Sequence, residues 1–477
     1  MRIYFLGIAG TAMGNAALLL RAMGHEVFGC DQAIYPPMST LLEDAGIEIM
    51  QGYSVQRLQK LDPNLVVVGN AYSRGNEEVE FLLETRSIEY TSLPDVLSRL
   101  ILSRRENVVV TGTHGKTTTT AITSFLLEQA SQDPGYMIGG APIDPARGWR
   151  IGFEGGPFVI EGDEYDSAFF DKRSKFIHYQ PKVVVLNNLE FDHADIFRDL
   201  QDVKRTFSHL LRLVPKNGYV LVNADDGNAL SLTDLDFTTI YRVGTAHDAD
   251  LRIDNYETTE LGSRFELLWQ GRPWASVEWG MSGLFNARNA AMASLAAALI
   301  SENSSSAMPN PRVSHFDPSA LARFRGVKRR QQLRVEREGL TVIEDFGHHA
   351  TAVRDTLSAL RSRFTDTVIV ACFEPRSNTS RLEMMRAPTI AALQLADVAY
   401  IGAVKSRNSA DVQLMDTFSL AEDLNKTGTE ARAFENNEEL FATLQALAVK
   451  RVRKTLVIFF SNGSFGGVIE RFVTECQ

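Results

Sequence analysis

The chain has 477 residues, which at roughly 150 residues per domain predicts about three domains and excludes a single small binding module. Its formal net charge is −10, from 49 Lys and Arg against 59 Asp and Glu. This is the wrong sign for a protein that grips nucleic acid or an anionic membrane with its whole surface. The three cysteines, Cys30, Cys372 and Cys476, are widely separated, which excludes a disulfide framework and favours a reducing cytoplasm.

The predicted strands recur along the whole chain as short apolar runs rich in β-branched residues. They begin at Ile3, Asn64, Asn107, Pro157, Lys182, Tyr219, Leu340, Thr367, Val398 and Thr455. Amphipathic stretches separate the runs, and this alternation predicts an α/β fold with parallel sheets covered by helices. Ligands of open α/β sheets bind beyond the carboxyl ends of strands, so the chemistry is expected in the polar residues that end each run.

Two changes in composition divide the chain. The first lies near residues 103–107, and the second is the Ser-, Asn- and Pro-rich stretch of residues 301–318. They predict domains at residues 1–105, 106–312 and 313–477. Within the second domain, residues 251–279 alternate polar and apolar side chains and predict an antiparallel extension. No apolar run reaches the roughly 18 residues that a transmembrane helix needs.

The first predicted domain opens with GIAGTAMG, which contains Gly7, Gly10 and Gly14 and precedes a helix and a second strand ending at Asp31. This is a βαβ unit of nucleotide-binding type, but its spacing is GxxGxxxG rather than GxGxxG. Three interpretations stay open. Asp31 could bind the ribose of NAD, the loop could cradle another diphosphate, or the glycines could only allow a close contact between helix and strand.

The second domain opens with VVVTGTHGKTTTT, a buried strand that leads through a glycine-rich turn into a helix beginning near Lys116. Backbone N–H groups at such a turn bind phosphate oxygens, Lys116 adds a positive charge, and Thr117 can ligate Mg²⁺. The glycines stand at Gly112 and Gly115, whereas the standard P-loop pattern would place the first at Val110. The motif predicts binding of a nucleoside triphosphate.

Two acidic segments follow the next predicted strands. VIEGDEYD contains Glu161, and LNNLEFDHAD contains His193. A metal ion that bridges phosphates needs hard oxygen ligands near the loop threonine, and an imidazole can join them. Glu161 and His193 are therefore predicted metal ligands beside Thr117.

The third domain brings a basic run, residues 323–334, and two polar strand ends. EDFGHHATAV places Asp345 and His348 at the start of a helix, and FEPRSNTSR places Arg376 in the same position after the next strand. The basic run either is a solvated face or screens transferred phosphate. An arginine can hold a carboxylate bidentately, so Arg376 is a candidate for selecting a substrate with free acid groups.

Taken together, TGTHGKTTT, VIEGDE, NLEFDHAD, GLFNARN and DFGHHATAV resemble the Mur ligases, the ATP-dependent amide-forming enzymes of peptidoglycan assembly. The resemblance runs from end to end. It implies a Rossmann-like UDP-sugar domain, a P-loop central domain that binds ATP and Mg²⁺, and a Rossmann-like domain for the peptide acceptor. It implies a cytoplasmic ligase with no nucleic acid, membrane or obligatory protein partner.

The resemblance is strongest to members that act on UDP-N-acetylmuramate. It implies joining of this substrate, through an acyl phosphate, to the recycled tripeptide L-Ala-γ-D-Glu-meso-diaminopimelate. The alternative within the family is attachment of L-alanine. From other classes, an NAD-dependent oxidoreductase would use Asp31 but leaves GKTTTT without a role, and a non-enzymatic P-loop regulator leaves the third domain's polar strand ends without one.

The motifs carry the family's site residues onto this chain. The implied catalytic residues are Lys116, Glu161, His193 and His348, of which Glu161 and His193 hold metal with Thr117. The implied ATP contacts are Gly112, Thr113, His114, Gly115, Lys116, Thr117, Thr118, Asn289, Arg329 and Asp345. The UDP-sugar contacts are Gly7, Ala9, Gly10, Thr11 and Asp31, and the peptide contacts are Arg376, Ser377, Asn378 and Ser464. Three positions depart from the family: Phe285 replaces a histidine, Ala350 a proline, and Phe207 falls near a lysine that several members carbamylate.

Overall fold

The computed structural model describes residues 1–301, 313–403, 413–450 and 453–477. Most of the predicted second linker, residues 302–312, lies outside the described residues. The strands form one main sheet in each third of the chain and a small separate hairpin. The α/β fold with Rossmann-like outer domains is therefore confirmed, whereas the domain boundaries stay predictions.

The first sheet has five parallel strands in the order β3-β2-β1-β4-β5. Its elements are β1 Arg2–Leu6, α1 Thr11–Ala22, β2 Glu26–Asp31, α2 Met38–Asp44, β3 Glu48–Gln51, α3 Val55–Leu61, β4 Leu65–Val68, α4 Glu77–Thr85, β5 Glu89–Ser92 and α5 Leu93–Leu100. The order reverses between β1 and β4, and ligands of doubly wound sheets bind at such a switch point.

The second sheet has ten strands in the order β17-β16-β15-β14-β13-β12-β6-β9-β7-β8. Its elements and the hairpin β10–β11 are β6 Glu106–Thr111, α6 Lys116–Gln129, β7 Gly135–Met137, β8 Trp149–Arg150, β9 Pro157–Glu161, β10 Asp166–Ala168, β11 Asp171–Ser174, β12 Pro181–Leu186, α7 Leu200–Leu211, β13 Tyr219–Asn223, α8 Gly227–Leu230, β14 Thr239–Gly244, β15 Leu251–Thr258, β16 Ser263–Trp269, β17 Arg272–Trp279 and α9 Leu284–Ile300. Strands β15 to β17 pair antiparallel, as the alternating pattern of residues 251–279 predicts.

The third sheet has six strands in the order β18-β19-β23-β20-β21-β22, parallel except for β18. Its elements are β18 Gln332–Arg337, β19 Leu340–Asp345, α10 Ala350–Arg363, β20 Val368–Phe373, α11 Arg386–Leu393, β21 Val398–Ile401, α12 Thr417–Lys426, β22 Glu430–Ala433, α13 Asn437–Lys450, β23 Thr455–Phe460 and α14 Val468–Cys476. No described helix is long and apolar enough to cross a membrane.

Helices α6 and α9 fix the centre of the molecule. Helix α9 is rich in alanine and buried over nearly its whole length, and it lies against α6. Small side chains allow two helices to approach closely while still excluding water. Because α6 begins at the end of β6, this packing fixes the turn between them, where the site forms.

Candidate active site

A cleft of about 420 Å³ lies between the second and third sheets. It is lined by the turn before α6, by the carboxyl ends of β9, β12 and β13, and by the loop between β19 and α10. Many of the predicted site residues meet here: Thr113, His114, Gly115, Lys116, Thr117, Thr118, Glu161, His193, Asn289, Asp345 and His348. Residues distant in sequence therefore share one cavity.

The turn between β6 and α6 has the backbone of a phosphate-binding loop. Gly112 and Gly115 have φ angles of +128° and +83°, a region that side chains with a Cβ rarely adopt. A Cβ on Gly115 would lie 2.4 Å from Nδ2 of Asn187 and 2.5 Å from Oδ1 of Asn289. Only glycine fits at this close approach, and the turn leaves the amino end of α6 open toward the cleft.

Asn289 supports this loop from behind. Its Oδ1 accepts hydrogen bonds from Nδ2 of Asn187, at 2.7 Å, and from the hydroxyl of Thr119, at 3.2 Å. The side chain is 3% exposed. Its adenine contact stays a prediction, and the structure adds a loop-holding role that the motif did not reveal.

At the floor of the cleft, Lys116 lies near three carboxylates, those of Glu161, Asp163 and Glu164. The Nζ of Lys116 donates to the carbonyl of Gly112 at 2.6 Å and to Oε2 of Glu164 at 2.9 Å. The imidazole of His193 lies 3.1 Å from the other oxygen of Glu164. Glu164 thus links the two predicted catalytic groups, a role that was not among the sequence predictions although the residue stands in the same acidic motif.

The hydroxyl of Thr117 donates to Oε2 of Glu161 at 3.1 Å, and the N–H of Gly139 donates to Oε1 at 2.5 Å. Burial and the nearby charge of Asp163 raise the pKa of Glu161 to about 7. A buried carboxyl crowded by another is stabilised by a cation. A hydroxyl beside carboxylate oxygens is also the hard-oxygen donor set that Mg²⁺ prefers, so these residues fit that ion.

The electrostatics around His193 favour its charged form. Burial lowers the pKa of His193, but the hydrogen bond and charge of Glu164 outweigh this and raise it. Burial likewise opposes ionisation of Glu164, yet Lys116 and His193 lower its pKa. Lys116, Glu164 and His193 therefore form a network of charged groups before any phosphate is bound.

The third domain supplies an arginine that was not among those predicted. Arg329 binds Glu344 through Nε at 2.7 Å and donates to the carbonyls of Ser461 and Gly463, so its guanidinium is used within that domain. Arg330 lines the cleft instead, with Nη2 3.5 Å from the hydroxyl of Thr117. The contact of Arg329 with the nucleotide stays a prediction, and the structure adds Arg330 as the arginine of this loop that lines the cleft.

Asp345 and His348 stand on the same loop. The carboxylate of Asp345 accepts from the N–H of Gly347 at 2.6 Å and from that of Gln331 at 2.8 Å, so it shapes the loop as well as lining the cleft. Burial lowers the pKa of His348 to about 4, and its Nδ1 lies 3.1 Å from the carbonyl of Phe346. His348 is thus neutral at physiological pH.

Asp31 is occupied by its own domain. Its carboxylate accepts from the N–H groups of Ala9 and Gln32, at 3.0 and 2.7 Å, and from the hydroxyl of Tyr72 at 3.2 Å. A Cβ on Gly7 would lie 2.3 Å from the ring of Tyr72, so the turn is closely covered. Asp31 therefore holds the loop that contains Ala9 and precedes α1. A carboxylate can accept further hydrogen bonds, and the contact of Asp31 with a UDP-sugar stays a prediction.

The predicted peptide-binding residues follow the carboxyl ends of β20 and β23, at the same edge of the third sheet as the loop after β19. Arg376 is exposed and packs on Gly463, where an added Cβ would lie 1.8 Å from its Nη1. Ser377 uses its hydroxyl to bind Ser380 at 2.8 Å. Ser464 starts the turn before α14, and its carbonyl accepts from Gly467 at 2.9 Å. Like Asn378, none of these residues lines the cleft, and their role stays a prediction.

Thr379 is a contact that the sequence predictions missed. Its hydroxyl accepts from the N–H of Ala194 at 3.2 Å, so the loop after β20 touches the segment that carries His193.

The departures from the family pattern have simple structural settings. Phe207 is fully buried against Phe176, with ring centroids 5.2 Å apart, and Phe285 lines the cleft.

These features define a three-domain enzyme in which a phosphate-binding loop lies opposite the loop of the third domain that carries Arg330. The chain matches the Mur ligase family, catalytic domain, over residues 2–105, the Mur ligase middle domain over residues 155–298, and the Mur ligase, glutamate ligase domain over residues 329–463. The chain belongs to the Mur ligase family.

Among its relatives, the UDP-N-acetylmuramate–L-alanyl-γ-D-glutamyl-meso-2,6-diaminoheptandioate ligase of Escherichia coli is 42% identical over 84% of each chain. The UDP-N-acetylmuramate–L-alanine ligase of Dictyoglomus turgidum is 29% identical over 96% of each chain. The crystal structure of a murein peptide ligase from Psychrobacter arcticus shares 34% identity and a TM-score of 0.71, covering 99% of this chain and 98% of that one. The similarity is thus higher to the ligases that take a tripeptide.

Proposed function

We propose that the protein joins UDP-N-acetylmuramate to the tripeptide L-Ala-γ-D-Glu-meso-diaminopimelate and converts ATP to ADP and phosphate. The single observation that carries this proposal is the identity of 42% to a ligase named for these substrates, against 29% to an L-alanine ligase. The reaction places the enzyme in the recycling of peptidoglycan, because its acceptor is a preassembled peptide rather than a free amino acid.

The reaction has two chemical steps. The muramate carboxylate attacks the γ-phosphorus of ATP, which releases ADP and forms an acyl phosphate. The amine of the tripeptide then attacks the acyl carbon, loses a proton, and expels phosphate from the tetrahedral intermediate to leave an amide. Catalysis of such transfers consists mainly of positioning and neutralisation of charge.

The residues on the floor of the cleft serve the first step. The N–H groups at the amino end of α6, from Gly115 to Thr117, face the phosphates, and Lys116 is held by Glu164 at the position where negative charge develops. Thr117 and Glu161 would hold Mg²⁺, which when bound neutralises phosphate charge, and His193 would join them as a ligand only after giving up its proton. Arg330 adds a second cation from the third domain, so the complete charge distribution exists only when the two domains are closed.

The outer domains hold the two ligands that are joined. The amino end of α1, at Gly10 and Thr11, offers backbone N–H groups for the diphosphate of UDP-N-acetylmuramate, and Asp31 keeps that loop in shape. The exposed Arg376 is available for a carboxylate of the tripeptide. His348 is neutral and buried beside Asp192, so it can accept a hydrogen bond from the incoming amine.

The test is an acceptor comparison on purified protein with UDP-N-acetylmuramate and Mg-ATP. We expect the tripeptide to give stoichiometric ADP, phosphate and an amide product of the expected mass, and L-alanine to give little turnover. Lys116→Met is the inactive control. Robust turnover with L-alanine and none with the tripeptide would refute the proposed acceptor.

A further inference from the structure

Two imidazoles and a carboxylate meet at one wall of the cleft: His114 of the phosphate-binding loop, Glu190 after β12, and His349 before α10. The Nε2 of His114 lies 2.9 Å from Oε2 of Glu190, and Nδ1 of His349 lies 3.3 Å from the same oxygen. The three facing atoms all lie within 4.8 Å of one another. The cluster therefore joins two segments of the middle domain to one of the third domain.

Further hydrogen bonds hold His114 and Glu190 in place. The N–H of His114 donates to Oδ1 of Asn188 at 2.7 Å, and the N–H of Glu190 donates to the hydroxyl of Thr113 at 2.9 Å. The hydroxyl of Thr351 donates to Oε1 of Glu190 at 2.9 Å, which leaves Oε2 directed at the two imidazoles. Such outer hydrogen bonds orient metal ligands in proteins.

The contact between His349 and Glu190 lacks a proton to share. The N–H of Thr351 donates to Nδ1 of His349 at 3.3 Å, so this nitrogen presents a lone pair. The same nitrogen faces Oε2 of Glu190. Two electron-rich atoms 3.3 Å apart repel each other unless a cation lies between them.

The donor set selects the cation. Two imidazole nitrogens and one carboxylate oxygen suit zinc and similar divalent transition metals, whereas Mg²⁺ prefers oxygen ligands. Zinc bonds of about 2.0–2.1 Å in a tetrahedral site separate ligand atoms by roughly 3.4 Å. The two separations from Oε2 of Glu190, 2.9 and 3.3 Å, both lie within about 0.5 Å below this distance, and all three residues line the cleft, which leaves a fourth position open.

We propose that His114, Glu190 and His349 form a binding site for a zinc-class divalent transition metal ion, separate from the Mg²⁺ ligands. Because His349 belongs to the third domain and the other two ligands to the middle domain, the bound ion ties the two domains together. Zinc then slows turnover, since the domains must separate for substrates to enter and products to leave.

The experiment measures binding of Zn²⁺ to the full-length protein in excess Mg²⁺, by competition with a chromophoric chelator. We expect one Zn²⁺ per chain in the wild type and affinity lower by at least about tenfold in Glu190→Gln and His349→Ala. His349→Cys replaces the ligand with another that zinc accepts, so we expect it to bind Zn²⁺ more tightly than His349→Ala. Far-ultraviolet circular dichroism and thermal unfolding without zinc establish that each variant is folded.

Two controls separate this site from others. His193→Gln alters the proposed Mg²⁺ ligands, and His209→Ala removes an exposed histidine of α7, so both should retain the zinc site. Unchanged zinc affinity in His349→Ala, or loss of zinc only in His193→Gln, would overturn the proposal. Ligase activity in zinc-free Mg-ATP is recorded separately, so failure of the zinc site leaves the proposed reaction unaffected.

Discussion

Replacement of Gly115 by alanine tests whether the loop before α6 must have the conformation described above. The backbone at Gly115 has φ +83°, where an alanine costs about 1–2 kcal/mol relative to glycine. The new Cβ would also lie 2.4 Å from Nδ2 of Asn187 and 2.5 Å from Oδ1 of Asn289. These two atoms form the 2.7 Å hydrogen bond that supports the loop, so they cannot both stay in place.

The collision adds to the backbone cost. Breaking a buried hydrogen bond and leaving its partners unpaired costs about 1–3 kcal/mol. We therefore expect Gly115→Ala to lose about 3 kcal/mol in all, equivalent to a factor of roughly 150 in an equilibrium constant. The loss lowers the free energy of unfolding if the loop keeps its shape, and it lowers affinity for Mg-ATP if the loop rearranges.

Both quantities can be measured on the same preparation. Urea unfolding gives the change in stability, and calorimetric titration with a non-hydrolysable ATP analogue gives the change in affinity. Gly227→Ala is the matched control, because Gly227 begins α8 and an added Cβ there meets nothing within 4 Å. The reasoning from the loop geometry is refuted if Gly115→Ala matches the wild type within twofold in its affinity for the ATP analogue and within twofold in its equilibrium constant for unfolding.

Three other predictions follow from single contacts. Burial and the charge of Asp163 raise the pKa of Glu161 to about 7, so protonation below that pH removes a metal ligand. Affinity for Mg²⁺ should therefore fall about tenfold per pH unit below 7. Mg²⁺ titrations of ATP hydrolysis across this pH range check this, and an affinity that does not change with pH would contradict it. Arg330→Lys should lower kcat by at least about tenfold in steady-state assays, because Arg330 lines the cleft. Arg329→Lys should mainly reduce the free energy of unfolding, by about 1–3 kcal/mol, because Arg329 is bonded within the third domain. The opposite pattern would show that Arg329 acts at the nucleotide and Arg330 does not. In the first domain, Glu78 of α4 is fully buried, lies 3.6 Å from Nη2 of Arg57 and accepts a hydrogen bond from the hydroxyl of Tyr4. Removal of one partner from a buried ion pair costs about 3–5 kcal/mol, so Glu78→Ala should lower the free energy of unfolding by this amount in chemical denaturation. A cost no larger than that of Glu77→Ala, at the exposed neighbour, would disprove this account.

Sequence reasoning succeeds where one segment carries the whole signal. The phosphate-binding loop is such a case, because strand, glycines, lysine and helix follow each other within one short stretch, and the structure places Lys116 and Thr117 at the start of α6. The antiparallel extension is another, since the two-residue period of residues 251–279 needs no distant partner to be recognised.

It fails where a side chain must choose between neighbours that are remote in sequence. Arg329 and Arg330 are adjacent and chemically identical, and only the positions of Glu344 and of the loop after β23 draw Arg329 away from the cleft. Asp31 has the position of a ribose ligand in a nucleotide-binding unit, and only the structure shows that Tyr72 and the N–H of Ala9 also donate to its carboxylate.

The sequence by itself determined the α/β class, the family, the phosphate-binding loop and eleven of the residues that line the cleft, because local periodicity and short motifs encode these directly. Only the tertiary structure decided which arginine enters the cleft, that Glu164 joins Lys116 to His193, and that His114, Glu190 and His349 converge. The physical reason is that hydrogen bonds and metal ligation act over about 2–3 Å, a distance set by how separate sheets pack.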